Sequence, residues 1–171
     1  MPDRGKLLVA AMLLVALVLA GFAWWWNFDR GRKSREFWGN PAAMLIRQAP
    51  QVELLRLASA SDSQTPLETI SLGETSLAVV ERQDITGAQG LLHARFALTE
   101  DASFSFAESN RPSAPQWEYA ARFTRDGRTA TVLFDFANSR LAIAEQNRAA
   151  QAVPKIMTGW QQFVARHMEE K

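Results

Sequence analysis

The chain's two histidines, His93 and His167, lie far apart in sequence, and neither stands in a recognisable catalytic or metal-binding motif. A histidine acting as a general base needs a carboxylate to orient it and a pocket to hold substrate. Glu81 and Asp84 are the acids that could serve His93, although no spacing rule brings the three together. His167 stands near the end of a helical pattern, where a cation favours the negative end of the helix dipole. Two lone histidines with no Cys cannot make the usual zinc sets without carboxylates, so neither a metal nor any other cofactor is expected. A centre built from His93 with His167, Glu81 or Asp135 would have to be assembled by the fold alone.

Other chemistries leave less trace still. The chain has no Cys, which excludes thiol nucleophiles, iron–sulfur clusters, Cys-ligated zinc, disulfides and thiol-linked lipid. No Gly-x-Ser-x-Gly elbow and no phosphate-cradling glycine motif occurs. Gly87-Ala88-Gln89-Gly90 comes nearest, and it suits a turn. The net charge of +1 gives no pull toward nucleic acid. From residue 31 to residue 171 the chain carries 16 basic and 16 acidic side chains, so that part is neutral.

Two segments could bind rather than catalyse. Arg30, Arg32, Lys33 and Arg35 follow an apolar run and could hold anionic lipid headgroups. Thr99 to Pro115 carries Phe104, Phe106 and Arg111 among polar residues, as a partner-binding loop would. The same two phenylalanines could tuck beneath the loop or form a short strand.

The elements that would position these residues begin with the apolar run itself. Leu7 to Trp26 contains no charge. At about 1.5 Å per residue it reaches roughly 30 Å, the thickness of a bilayer's hydrocarbon core. Leu7 and Leu14 are typical of its anchor residues. Trp24, Trp25 and Trp26 suit the headgroup layer at its end. The run outlasts a typical signal-peptide core, so a retained single-pass anchor is expected rather than a cleaved leader. The flanking Lys and Arg lean toward a cytoplasmic domain. A basic start with one early apolar helix leans toward export, and a bacterial inner-membrane protein with a periplasmic domain is the orientation adopted.

A basic tail (1–6), the anchor (7–26), a juxtamembrane linker or helix extension (27–39) and one soluble domain (40–171) follow from this reading. Asn40-Pro41 starts a helix to Gln48. Gln51 to Ala58 and Ser76 to Asp84 read as strands, and Leu67 to Leu72 as a strand or a loop. Thr86 caps a helix from Gly87 to about Thr99, with Leu91, Leu92, Arg95, Phe96 and Leu98 suggesting its apolar face. Trp117, Tyr119, Ala121 and Phe123 alternate with Glu118, Ala120, Arg122 and Thr124, as in a half-buried strand. Asp126-Gly127 turns the chain into a second strand with Val132, Phe134 and Phe136 on one face, which sends Asp135 and Glu118 to the solvent side. A further strand follows at Leu141 to Glu145. Pro154 to Glu169 closes as a helix, with Ile156, Trp160, Phe163, Val164 and His167 facing the sheet.

The fold class is therefore α+β: one transmembrane helix, then an antiparallel sheet of four or five strands, including a 116–136 hairpin, packed by two or three helices. A membrane-held domain of this kind is expected to touch lipid and to bind a partner protein or ligand. A tethered hydrolase using His93 is the alternative.

Overall fold

The computed structural model describes residues 4–29, 32–59, 66–105 and 115–168. The chain divides into two compact units, residues 1–32 and 33–171.

The first unit holds helix α1, Arg4–Asp29. Its segment Gly5–Trp25 contains an 18-residue window with a mean hydropathy of 2.7, and none of that window is buried. Leu7 is 61% exposed and Leu14 64%. With apolar residues on every side, α1 has no stripe to lay on a protein core and no polar face to leave in water.

The second unit is one antiparallel sheet with helices. Helix α2 (Arg32–Trp38) leads into α3 (Asn40–Gln48), followed by strands β1 (Gln51–Ser59), β2 (Glu68–Leu72) and β3 (Thr75–Asp84). Helix α4 (Leu91–Thr99) and the short β4 (Phe104–Ser105) come next. Strands β5 (Tyr119–Arg125), β6 (Arg128–Asp135), β7 (Arg140–Ile143) and β8 (Arg148–Ala152) precede the last helix, α5 (Pro154–Met168). The sheet has eight strands in the order β2-β3-β1-β5-β6-β7-β8-β4.

This corrects the expected four or five strands. Strand β8, of sequence RAAQA, carries no β-branched or aromatic side chain, so propensity cannot reveal it. It forms because the 3₁₀ turn Ala144–Gln146 and left-handed Asn147 fold the chain back along β7. Strand β4 is two residues that add to the far side of β8. Four helices, α2 to α5, accompany the sheet in place of two or three. Residues Phe37 and Trp38, assigned by sequence to a linker, are buried core at the end of α2.

The β5–β6 hairpin forms as its sequence implies. Asp126 (φ 51°) and Gly127 (φ 72°) are both left-handed, the backbone of a tight primed turn. On β6, Ala130, Val132 and Phe134 face the helices, packing with Val52, Leu54 and Phe123 against Trp160, Phe163 and Val164 of α5. Trp117 does not share the face of Ala121 and Phe123. It lies before the regular pairing of β5 begins, and it joins Leu55, Leu57, Val79, Ala120 and Leu133 in a second cluster.

That second cluster survives because the sheet curls. Glu68 of β2 and Arg122 of β5 are three strand positions apart, about 14 Å in a flat sheet at the usual spacing. Arg122 nevertheless donates to both Glu68 oxygens, at 2.8 and 2.7 Å. At the tip of the β2–β3 turn Gly73 (φ 59°) lies so close to the Asn147 side chain that a Cβ there would stand 2.9 Å from its Nδ2.

Asp135, expected on the solvent side, is fully buried. Its carboxylate accepts from the Gln116 backbone at 3.2 Å, the Asn138 backbone at 3.0 Å and the Asn138 amide at 2.8 Å. These donors replace water around the buried carboxyl group.

Helix α4 starts later than expected. Gly90 adopts φ 90°, and the turn before it occupies residues 86–90. Thr86 does not cap α4; its hydroxyl accepts from the Val52 amide at 3.1 Å and donates to Asp84 at 2.6 Å. Of the apolar residues on α4, Leu91 and Leu98 are buried, whereas Leu92 and Phe96 point outward.

Candidate functional site

His93, Glu81 and Asp84 occupy separate settings. His93 is exposed on α4. Glu81 stands 3.9 Å from Arg56 across the β1–β3 ladder. Asp84 accepts from the Thr86 hydroxyl and amide, at 2.6 and 2.8 Å, and these bonds hold its carboxyl below the usual range. The histidine that shares a cleft with Asp84 is His167, which lines the same open cleft of about 420 Å³ with residues 83–88. His167 also stacks edge-on against Phe163, with ring centroids 4.6 Å apart. Nothing local in the sequence links positions 84 and 167; only the packing of α5 beside the β3–α4 turn does. Among the described residues no three His, Asp or Glu side chains gather as a metal cluster.

The residues expected to bind partners fare differently. Phe104 is buried in the core, with its ring 6.0 Å from Phe37 and 5.8 Å from Trp38. It therefore presents no surface to a partner, because β4 turns it under α2. Phe106 and Arg111 lie outside the described residues, as does Arg30. Lys33 and Arg32 are exposed at the start of α2, and Arg35 is half-buried in its middle. Trp24 is 70% exposed and Trp25 54%, while the side chain of Trp26 lies outside the described set.

Two other clefts open on the sheet. One, of about 360 Å³, lies between Arg56, Glu118, Tyr119 and Phe136 on the sheet and Gln161, Val164 and Ala165 on α5. The other, of about 300 Å³, sits in the curl between Glu68, Arg122, Thr131 and Glu145. No known family, curated protein or solved structure matches the chain.

In the curled cleft, Glu68 and Glu145 are both hydrogen-bonded across the wall. Glu68 takes two bonds from Arg122 and one from Arg82, at 2.7 Å. Glu145 accepts from the Thr131 amide at 2.9 Å, where β6 has outrun its partner β7. The Arg122 bonds lower the Glu68 carboxyl below its ordinary value of 4.5; partial burial opposes them, and the charges of Arg122 and Arg82 reinforce them. A carboxyl lowered in the folded state contributes stability above its unfolded value and loses it as pH falls through the folded one. Glu68→Gln should therefore lower the urea midpoint at neutral pH, and the gap to the wild type should close in acid. A gap that persists unchanged in acid would remove Glu68 ionisation from the account.

Proposed function

We propose that the protein is a single-pass membrane protein whose α+β domain binds a protein or ligand at the membrane surface, in an assembly, scaffold or regulatory role without catalysis. The reading rests on α1: from Leu7 to Trp25 it carries no charged side chain, and its apolar window is wholly unburied. In water, so many exposed large side chains would each forgo about 1.5–3 kcal/mol of burial. Lipid removes that cost and suits the tryptophans at one end. The basic residues Arg30, Arg32, Lys33 and Arg35 then meet the headgroups. We place the protein in a bacterial inner membrane with the domain on the periplasmic side.

The domain's features favour binding over turnover. His93 is exposed on a helix rather than set in a cleft with an acid. The three clefts are open, lined by side chains already tied to structural partners such as Thr86, Arg122 and Glu81.

Washing membranes with alkaline carbonate tests the anchor. The intact chain should stay in the pellet with its N-terminal segment present by mass spectrometry. Recovery of the intact chain in the supernatant, or a mature chain starting near Gly21, would refute it. A reporter fused after Lys171 assigns the side.

A further inference from the structure

We propose that the outer face of the α3–α4 helix pair rests on an anionic bilayer surface, with Leu92, Phe96 and Met44 entering the interface; this builds on the reading of α1 as an anchor. Three observations carry it.

The first is an apolar surplus in one place. Met44 is 58% exposed, Leu92 61% and Phe96 42%. Leu92 and Phe96 are four residues apart and so share one side of α4. The Arg47 guanidinium lies 5.7 Å above the Phe96 ring, which joins this side to α3, and Met44 sits one turn before Arg47. Among the described residues the domain's other exposed large apolar side chains, Leu67 and Val80, stand apart, before β2 and at the irregular pairing of β3.

The second is charge. Neither α3 (NPAAMLIRQ) nor α4 (LLHARFALT) contains a carboxylate. The face offers Arg47 and His93 beside its apolar residues. Glu100 follows just beyond α4, and Asp101 is engaged, accepting from the Lys33 and Ser34 amides at 3.2 and 2.7 Å. Apolar side chains beside the Arg47 guanidinium, without acids among them, are what an anionic headgroup layer accepts.

The third is chain length. The Ser34 hydroxyl donates to the Thr99 carbonyl at 2.7 Å, and the Trp38 indole to the Leu98 carbonyl at 2.6 Å. The end of α4 is thus fixed beside α2. Only residues 30 and 31 separate α2 from α1, a link of about 10 Å at full stretch. A bilayer spanned by α1 is therefore within reach of α4.

The absence of Cys allows single labels. Full-length Leu92→Cys, Ser71→Cys and Leu14→Cys, each carrying an environment-sensitive fluorophore, would be reconstituted into phosphatidylcholine vesicles with or without phosphatidylglycerol. Nitroxide-labelled lipid serves as quencher. The label at 14 should be quenched in both. The label at 92 should be quenched chiefly in anionic vesicles, and the label at 71, on the outermost strand, should stay in water. Adding Arg47→Ala should lower the docked-to-undocked ratio about fivefold, the worth of one basic side chain at a charged surface. Quenching at 14 without quenching at 92 would overturn the proposal and leave the anchor standing. No quenching at 14 would overturn both. A blue shift at 92 that follows protein density and ignores the nitroxide would mean a second copy covers the face, and it too would overturn the proposal. So would a label at 92 that leaves water only when a separate protein is added.

Discussion

Trp38→Ala should lower the domain's unfolding free energy by about 3–5 kcal/mol, the usual cost of truncating a buried Trp to alanine. The position is fully buried. Its ring meets Phe37 edge-on at 4.8 Å and Phe104 at 5.8 Å. Its indole N–H satisfies the Leu98 carbonyl, one of the last carbonyls of α4, which have no partner within the helix. Its own carbonyl accepts from the Gln146 side chain at 2.6 Å. One side chain thus ties α2 to α4 and to β4, and the cavity left behind would loosen all three. A loss of that size is a large part of the 5–15 kcal/mol typical of a domain. It should lower the melting temperature of the full-length protein in detergent by about 10–20 °C by near-ultraviolet circular dichroism. Trp38→Phe keeps most of the packing and loses the hydrogen bond, so it should cost markedly less. Equal melting of Trp38→Ala and the wild type would mean that α2 is not part of the domain's core.

Trp38 also shows where sequence reading stops. In sequence it follows a basic run and looks like the tail of a membrane stop signal. Only contact with Phe104, more than sixty positions later, makes it core. What was legible had a local cause. Asp126-Gly127 needs two left-handed residues, and TVLFDF alternates, so the β5–β6 hairpin could be read directly. The spacing of Trp160, Phe163 and Val164 fixed the buried side of α5. Strand β8 could not be read, because RAAQA becomes a strand only by pairing with β7. Asp135 kept its place in the alternation, but solvent was not on that side, because residues 116 and 138 close over it. The surface candidates divide in the same way. Helix α4 carries more apolar residues than one buried side can use, and sequence alone could not tell Leu91 and Leu98, which go in, from Leu92 and Phe96, which stay out. That Asp84 and His167 line one cleft left no mark in either neighbourhood.

Leu14→Arg combined with Leu17→Arg should release the full-length chain from membranes. Both positions lie near the middle of Gly5–Trp25 and are exposed within the uncharged run of α1. An arginine at the centre of a spanning helix costs about 2.5–3.5 kcal/mol on the insertion scale, and each lost leucine adds about 0.5 kcal/mol. Two such changes therefore cost about 6–8 kcal/mol, enough to reverse the preference of a helix favoured mainly by its leucines and valines. After carbonate washing the double variant should appear in the supernatant, whereas Leu14→Ala with Leu17→Ala, which adds no charge, should stay in the pellet. The two large hydrophobic clusters are built from residues 37–168, so the domain of the released chain should keep the wild type's melting transition. That combination separates causes. A protein pelleted by aggregation of its domain would stay pelleted with charges in α1, and one pelleted through lipid would not. If the double-arginine variant remained in the pellet with the domain's melting transition intact, α1 would not be what holds the chain to the membrane. The lipid-facing roles given to the basic linker and to the α3–α4 face would then lose their support together, because each depends on a bilayer held at the end of α1.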